Sequence, residues 1–136
     1  NEKFVVIDDY AHHPTEIEAT MKSVELYDNL TNFNNRIVLW QPHKYSRTSD
    51  NLEGFKKCFR RCDELIILPL WTVAGEKKID IDFEKEFASY NPIFADRVVS
   101  YKGKIELIKD DKIIKTYDEG IFLGVGAGDI TYQLRY

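Results

Sequence analysis

Four short, essentially continuous apolar runs, at residues 4–7, 37–40, 65–68 and 121–125, constrain this chain more than any other feature. A strand with one face in water alternates apolar and polar residues. A run that is apolar at every position is expected where both faces are covered, as in a parallel sheet. The segments between the runs have helical spacing. Pro14 suits a first helical turn, Glu16 and Glu18 suit the positive end of the helix dipole, and Ile17, Met21, Val24 and Tyr27 fall on one face. The asparagine-rich stretch 29–35 ends that helix. A second helix is expected to start around Ser49 and Asp50. It would turn Leu52, Phe55, Phe59 and Cys62 inward and carry Lys56, Lys57, Arg60 and Arg61 on a solvated outer face. The order β-α-β-α-β through residue 68 predicts an α/β fold, a doubly wound, mostly parallel, Rossmann-like sheet with helices on both faces. Farther on, the pattern predicts a short helix over 82–89 and a strand near 93–98. Apolar positions on either side of Asp110-Asp111 predict a hairpin over 104–117, so one antiparallel edge strand or hairpin is expected.

At 136 residues, 43% apolar and 31% charged, the chain has the size and composition of one globular domain rather than of a disordered segment. Its net charge of −4 argues against a general nucleic-acid binder. No apolar stretch approaches the roughly 20 residues of a membrane span, so no membrane partner is expected. The chain begins at Asn1 without an initiator Met and ends soon after Asp129, which suggests a piece of a larger protein. Cys58 and Cys62 read as reduced thiols, because no second cysteine pair completes a metal site.

Polar clusters follow each apolar run. They are Asp8-Asp9-Tyr10-Ala11-His12-His13, then residues 41–48, then residues 69–76, and finally Gly126-Ala127-Gly128-Asp129. All four stand at the carboxyl ends of presumed parallel strands, and ligands of open α/β sheets bind along that edge. Asp8 and Asp9 could accept hydrogen bonds from ribose hydroxyls or an ammonium. Of His12 and His13, one is expected to contact a ligand and the other to be satisfied by backbone. Lys44 and Arg47, beside His43, form a basic site suited to a carboxylate or a phosphate. Gly126 to Asp129 reads either as a phosphate-binding turn or as a tight turn leading into a helix capped by Asp129. Trp40 and Trp71 read as packing residues. No nucleophile elbow, Cys–His pair or Walker-type phosphate loop is present, so no catalytic residue and no metal site are expected in this chain.

Four blocks, in this order, resemble the carboxy-terminal domain of the Mur ligases, the ATP-dependent amide-forming enzymes of peptidoglycan synthesis. They are Asp8-Asp9-Tyr10-Ala11-His12-His13-Pro14-Thr15-Glu16, Gln41-Pro42-His43-Lys44-Tyr45-Ser46-Arg47-Thr48, Ala74-Gly75-Glu76 and Gly126-Ala127-Gly128-Asp129-Ile130. The first two blocks are specific; the last two gain meaning beside them. The resemblance implies a three-domain cytoplasmic bacterial enzyme in which residues 1–136 form the third domain. The UDP-sugar domain and the central ATPase domain, with the catalytic groups and most Mg²⁺ ligands, would lie outside this chain. The blocks are most similar to the member that joins L-alanine to UDP-N-acetylmuramate through an acyl phosphate. That similarity implies ATP and Mg²⁺ as cofactors and no ligase activity for the chain alone. Carried over by motif, Asp9, His13, Gly126, Gly128 and Asp129 would face ATP. Tyr10, His12, His43, Lys44 and Arg47 would surround the amino acid, with Arg47 on its carboxylate. The family commonly has Arg where Lys44 stands, which keeps the charge and loses the planar fork. Alternatives are the member that attaches a murein tripeptide to the same sugar, and a non-catalytic Mur-like nucleotide-binding module.

Overall fold

In the computed structural model, the described residues are 4–11, 13–31, 33, 35–126, 130 and 134. The element order is β1 (Phe4–Asp9), α1 (Pro14–Thr31), β2 (Arg36–Trp40), α2 (Tyr45–Asp50), α3 (Leu52–Cys58), β3 (Glu64–Ile67) and α4 (Phe83–Glu86). A 3-10 turn (Ala88–Tyr90), β4 (Ile93–Phe94), β5 (Arg97–Tyr101), β6 (Lys104–Lys109), β7 (Lys112–Tyr117) and β8 (Gly120–Val125) follow. Five strands form one sheet in the order β1-β8-β2-β3-β4, with every neighbouring pair parallel. The expected α/β class and mostly parallel sheet hold. The last strand in the chain lies in the middle of the sheet, between β1 and β2.

The continuous apolar runs serve both faces. Val38 and Trp40 of β2 join the core beneath the helices, while Ile37 and Leu39 join the core on the opposite face. The crossovers β1-α1-β2, β2-α2-α3-β3 and β3-α4-β4 all step the same way along the sheet, so connections of one hand place their helices on one face. Ile17, Met21 and Val24 of α1, Phe55 and Cys58 of α3, and Phe87 after α4 share that core. The other face is covered, among the described residues, by a three-stranded antiparallel sheet β5-β6-β7 and by Ile130 and Leu134. The hairpin expected over 104–117 is therefore present as part of a separate small sheet rather than as an edge of the main one.

Local chemistry explains several further departures. Tyr27 is 41% exposed, because Asp28 takes the buried position on α1 and lies 3.1 Å from Arg36 at the start of β2. The second helix starts at Tyr45, four residues early, and breaks at Asn51, whose side-chain amide donates to the Arg47 carbonyl (2.9 Å) and closes α2. The expected strand at 93–98 divides in two: Ala95 N–H still donates to Ile67 of β3, whereas Asp96 N–H donates to Ile108 of β6. Both hairpin turns of the small sheet, Lys102-Gly103 and Asp110-Asp111, have positive φ at both residues, the geometry that matches strand twist. In the helix expected over 82–89, Asp82 accepts from Lys85 N–H and caps α4, and the chain then tightens into the 3-10 turn.

Glu64 at the start of β3 latches the two sheets together. Its carboxylate accepts from Asn35 Nδ2 (3.0 Å), Lys115 Nζ (2.8 Å) and the Tyr117 hydroxyl (2.8 Å). Burial pushes its pKa up, but these three donors outweigh burial and hold it below the ordinary value. A depressed carboxylate contributes stability that is complete above the ordinary pKa of about 4.3 and is lost as pH falls through the lowered value. Glu64→Gln should therefore lower the unfolding midpoint at pH 7 and flatten the loss of stability on acidification. Parallel acid-unfolding profiles for the two proteins would remove the latch.

Candidate functional site

The carboxyl ends of β1, β8, β2 and β3 converge as the topology requires, and backbone hydrogen bonds stitch that edge together. Gly126 N–H donates to the Asp9 carbonyl (3.4 Å), Gln41 N–H to Val125 (3.0 Å), and Leu68 N–H to Trp40 (2.8 Å). Beyond the strands, Trp71 N–H donates to Pro42 (2.7 Å) and Lys44 N–H donates to Trp71 (2.9 Å), so the segments after β2 and β3 run side by side.

At the end of β1, Asp9 turns its carboxylate back onto its own connection. One oxygen accepts from Ala11 N–H (3.0 Å) and the other from the Thr20 hydroxyl on α1. Asp9 thus fixes the strand-to-helix turn, and each carboxylate oxygen keeps a second lone pair for a ligand. Asp8 and Tyr10 are exposed on either side of it. His13 caps α1: its ring Nδ1 accepts from Thr15 N–H (3.3 Å) and its carbonyl accepts from Ile17 N–H. His13 is thus engaged with the backbone of its own turn. His12, Gly128 and Asp129 lie outside the described residues.

At the end of β2, Lys44 is the residue before α2 and has φ 68°, ψ 132°, a conformation that side-chain-bearing residues rarely adopt. It is held there from both ends. Its N–H donates to Trp71, and its carbonyl accepts from Thr48 N–H (3.1 Å) and from the Thr48 hydroxyl (2.8 Å). Strain of this kind concentrates where geometry serves function. Arg47 sits in the first turn of α2, which begins ahead of the start expected around Ser49, and the helical spacing brings it back over residue 43. Its Nη1 is 2.9 Å from His43 Nδ1. A guanidinium can only donate, so His43 Nδ1 is the acceptor. His43, Lys44 and Arg47 are half-buried, and this basic group is the part of the expected site that the fold gathers most tightly.

At the end of β8, the glycine at 126 has a packing reason. Its φ is +144°, and a Cβ there would lie 2.7 Å from the Gln41 carbonyl oxygen. Gln41 itself is buried, and its side-chain oxygen accepts from Ile130 N–H (2.9 Å), anchoring the segment that follows the Gly-Ala-Gly-Asp block.

The edge also holds groups to which the sequence reading gave a different role or none. Trp71 is 43% exposed, whereas Trp40 is fully buried, so the two tryptophans do not share a packing role. Trp71 borders a cavity of about 390 Å³ with Gln41, Leu70 and Arg97. Gln41 stood inside a cluster the sequence marked. Thr20 gave no signal, because its partner lies 11 residues away. A second cavity, of about 540 Å³, lies between the start of α1 and the α2–α3 break and includes His13 from the expected set. Cys58 is buried and Cys62 half-buried; burial raises both thiols, Cys62 to about 12, which keeps them from acting as nucleophiles. Among the described residues no group of three or more His, Cys, Asp or Glu could hold a metal ion, and no helix is long and apolar enough to cross a membrane.

Comparison with known proteins fits this arrangement. The family model for the Mur ligase, glutamate ligase domain, matches residues 1–116. A UDP-N-acetylmuramate–L-alanine ligase of Helicobacter pylori (strain ATCC 700392 / 26695) is 56% identical over 133 residues, covering 96% of this chain and 29% of the relative. The enzyme of the same name from Campylobacter curvus is 48% identical over 135 residues, covering 99% of this chain and 31% of the relative. The chain thus spans about three tenths of the length of these relatives. The crystal structure of UDP-N-acetylmuramate-alanine ligase from Thermotoga maritima shares the fold, with a TM-score of 0.52 and 24% identity over 94% of this chain and 24% of that one. From motif blocks, sheet topology and family match together, the chain belongs to the Mur ligase family, in the part described as the glutamate ligase domain.

Proposed function

We propose that this chain is the carboxy-terminal domain of a bacterial cytoplasmic ligase that joins L-alanine to UDP-N-acetylmuramate, using ATP, in peptidoglycan precursor synthesis. The observation that carries the reading is the juxtaposition, along one sheet edge, of the Asp9 carboxylate with the His43, Lys44 and Arg47 group. The identity with relatives bearing that name supports the choice of substrates. Residues outside this chain would supply the sugar-binding domain and the central ATPase domain.

In this reading Arg47, oriented by His43, takes the carboxylate of the incoming amino acid, and Lys44 adds a point charge beside it. By the motif resemblance, Tyr10 and His12 would line the amino-acid side. ATP supplies the phosphoryl group that activates the sugar carboxylate. Asp9 fits a ribose hydroxyl, since its two oxygens each carry one internal bond and one lone pair to spare. His13, Gly126, Gly128 and Asp129 would border the nucleotide, His13 and Gly126 through the backbone positions they fix. Mg²⁺ would be held mainly by the central domain, as the family resemblance implies.

The test is ATP-dependent phosphate release by the full-length ligase with UDP-N-acetylmuramate, comparing L-alanine with the murein tripeptide. Release with L-alanine is expected. Release with the tripeptide alone would move the chain to wall recycling, and release with neither, from folded protein, would leave a nucleotide-binding module.

A further inference from the structure

The Ala74-Gly75-Glu76 block has no role in the site so far, yet its geometry is specific. Glu76 N–H donates to the Val73 carbonyl (3.2 Å), closing a turn whose third residue, Gly75, has φ +81°. That turn sends the Glu76 side chain back across the sheet edge to α2. One carboxylate oxygen accepts from Ser46 N–H (3.0 Å) and approaches the Ser46 hydroxyl (3.5 Å), while the other is buried without a hydrogen-bond partner. Ser46 lies between Lys44 and Arg47. The first N–H groups of a helix have no partner within it, and Lys44, the residue in the capping position, makes no side-chain cap. Glu76 therefore performs, from 30 residues away, the task a local Ser or Asp performs in most helices. A local cap would have served α2 alone. This one ties the α2 start to the segment after β3, which also grips Lys44 through the Trp71 carbonyl.

We propose that Glu76 is a positioning residue for amino-acid binding: through Ser46 it sets the first turn of α2, and so the placement of Arg47 and Lys44 against the substrate carboxylate. A carboxylate with one oxygen buried and unpaired is a poor device for stability. It is a good device for fixing a turn whose other connection, at Lys44, is strained. This inference rests on the assignment of Arg47 to the amino-acid carboxylate.

The test uses steady-state kinetics of the full-length ligase with Glu76→Ala, Glu76→Gln, Gly75→Ala and Arg47→Ala, with the thermal midpoint of each. Loss of a cap of ordinary strength should raise KM for L-alanine about fivefold to tenfold in Glu76→Ala, with KM for ATP unchanged. Glu76→Gln, which can still accept from Ser46 N–H, should restore most of that loss. Gly75→Ala has open space around its new methyl and disturbs only the turn that aims Glu76, so it should raise the same KM without touching the core, even if Glu76→Ala fails to fold. A fall in thermal midpoint and in active fraction with both KM values unchanged would make Glu76 merely structural and overturn the proposal. Normal L-alanine kinetics in Glu76→Ala and Gly75→Ala, beside a raised KM in Arg47→Ala, would overturn it too. Normal L-alanine kinetics in Arg47→Ala would instead overturn the site assignment beneath it.

Discussion

Under the proposed function, Arg47→Ala in the full-length protein is expected to weaken the use of L-alanine by about 2–4 kcal/mol, the cost of leaving one partner of a desolvated charge pair alone. That corresponds to a fall of roughly 30- to 700-fold in kcat/KM. The residue is half-buried in the first turn of α2, and its guanidinium is held by His43 Nδ1 at 2.9 Å, so the fork is already oriented before substrate arrives. Arg47→Lys should recover part of the loss, because a point charge survives while the bidentate geometry does not. ATP dependence should change little. A variant with impaired ATP use and normal L-alanine use would show that the two subsites are exchanged along the edge. The measurement is initial-rate kinetics with each substrate varied in turn.

The largest effect on stability is expected from Trp40→Ala. The indole is 1% exposed and sits among Phe55, Phe59 and Phe87 at centroid distances of 5.0, 5.0 and 5.1 Å, with Phe83 at 5.9 Å. These rings come from α3, its C-terminal end and the α4 region, so one side chain on β2 organises both crossovers. Truncation should cost about 3–5 kcal/mol, from lost transfer energy and the cavity left behind. That is a large part of the roughly 5–15 kcal/mol that holds a domain together. Urea unfolding followed by circular dichroism should show a lower midpoint with a similar slope. Trp71→Ala, at an exposed position outside the strands, is the control and should stay within about 0.5 kcal/mol. Equal losses in the two variants would mean that Trp71 also packs.

Sequence and structure agree most closely where periodicity has one cause. Uninterrupted runs such as Ile37 to Trp40 need apolar cover on both faces, and β2 has it. The spacing of Ile17, Met21 and Val24 needs one buried helix face, and α1 provides it. Two neighbouring aspartates between apolar pairs need a tight turn, and Asp110 and Asp111 form one. Agreement ends where a distant partner decides. Tyr27 continues the apolar spacing of α1, but Arg36 across the chain draws Asp28 into the buried place. The start of the second helix is hidden because its cap is Glu76, not a local Ser or Asp. Residues 93–98 read as one strand, yet two different sheets claim its two halves.

The candidate site follows the same division. By itself the sequence determined that four polar clusters end four strands, since strand polarity and covered faces follow from residue type and spacing. It thereby determined that Asp9, His43, Lys44, Arg47 and Gly126 share one edge. Only the tertiary structure decided their order, because the last strand inserts between the first two and sets Gly126 against both Asp9 and Gln41. It also decided which groups hold the site in place. Thr20, Gln41, Trp71 and Glu76 act through partners 11, 89, 27 and 30 residues away. Hydrogen bonds of such separation leave no periodic trace in a sequence, since their geometry exists only once the sheet has closed.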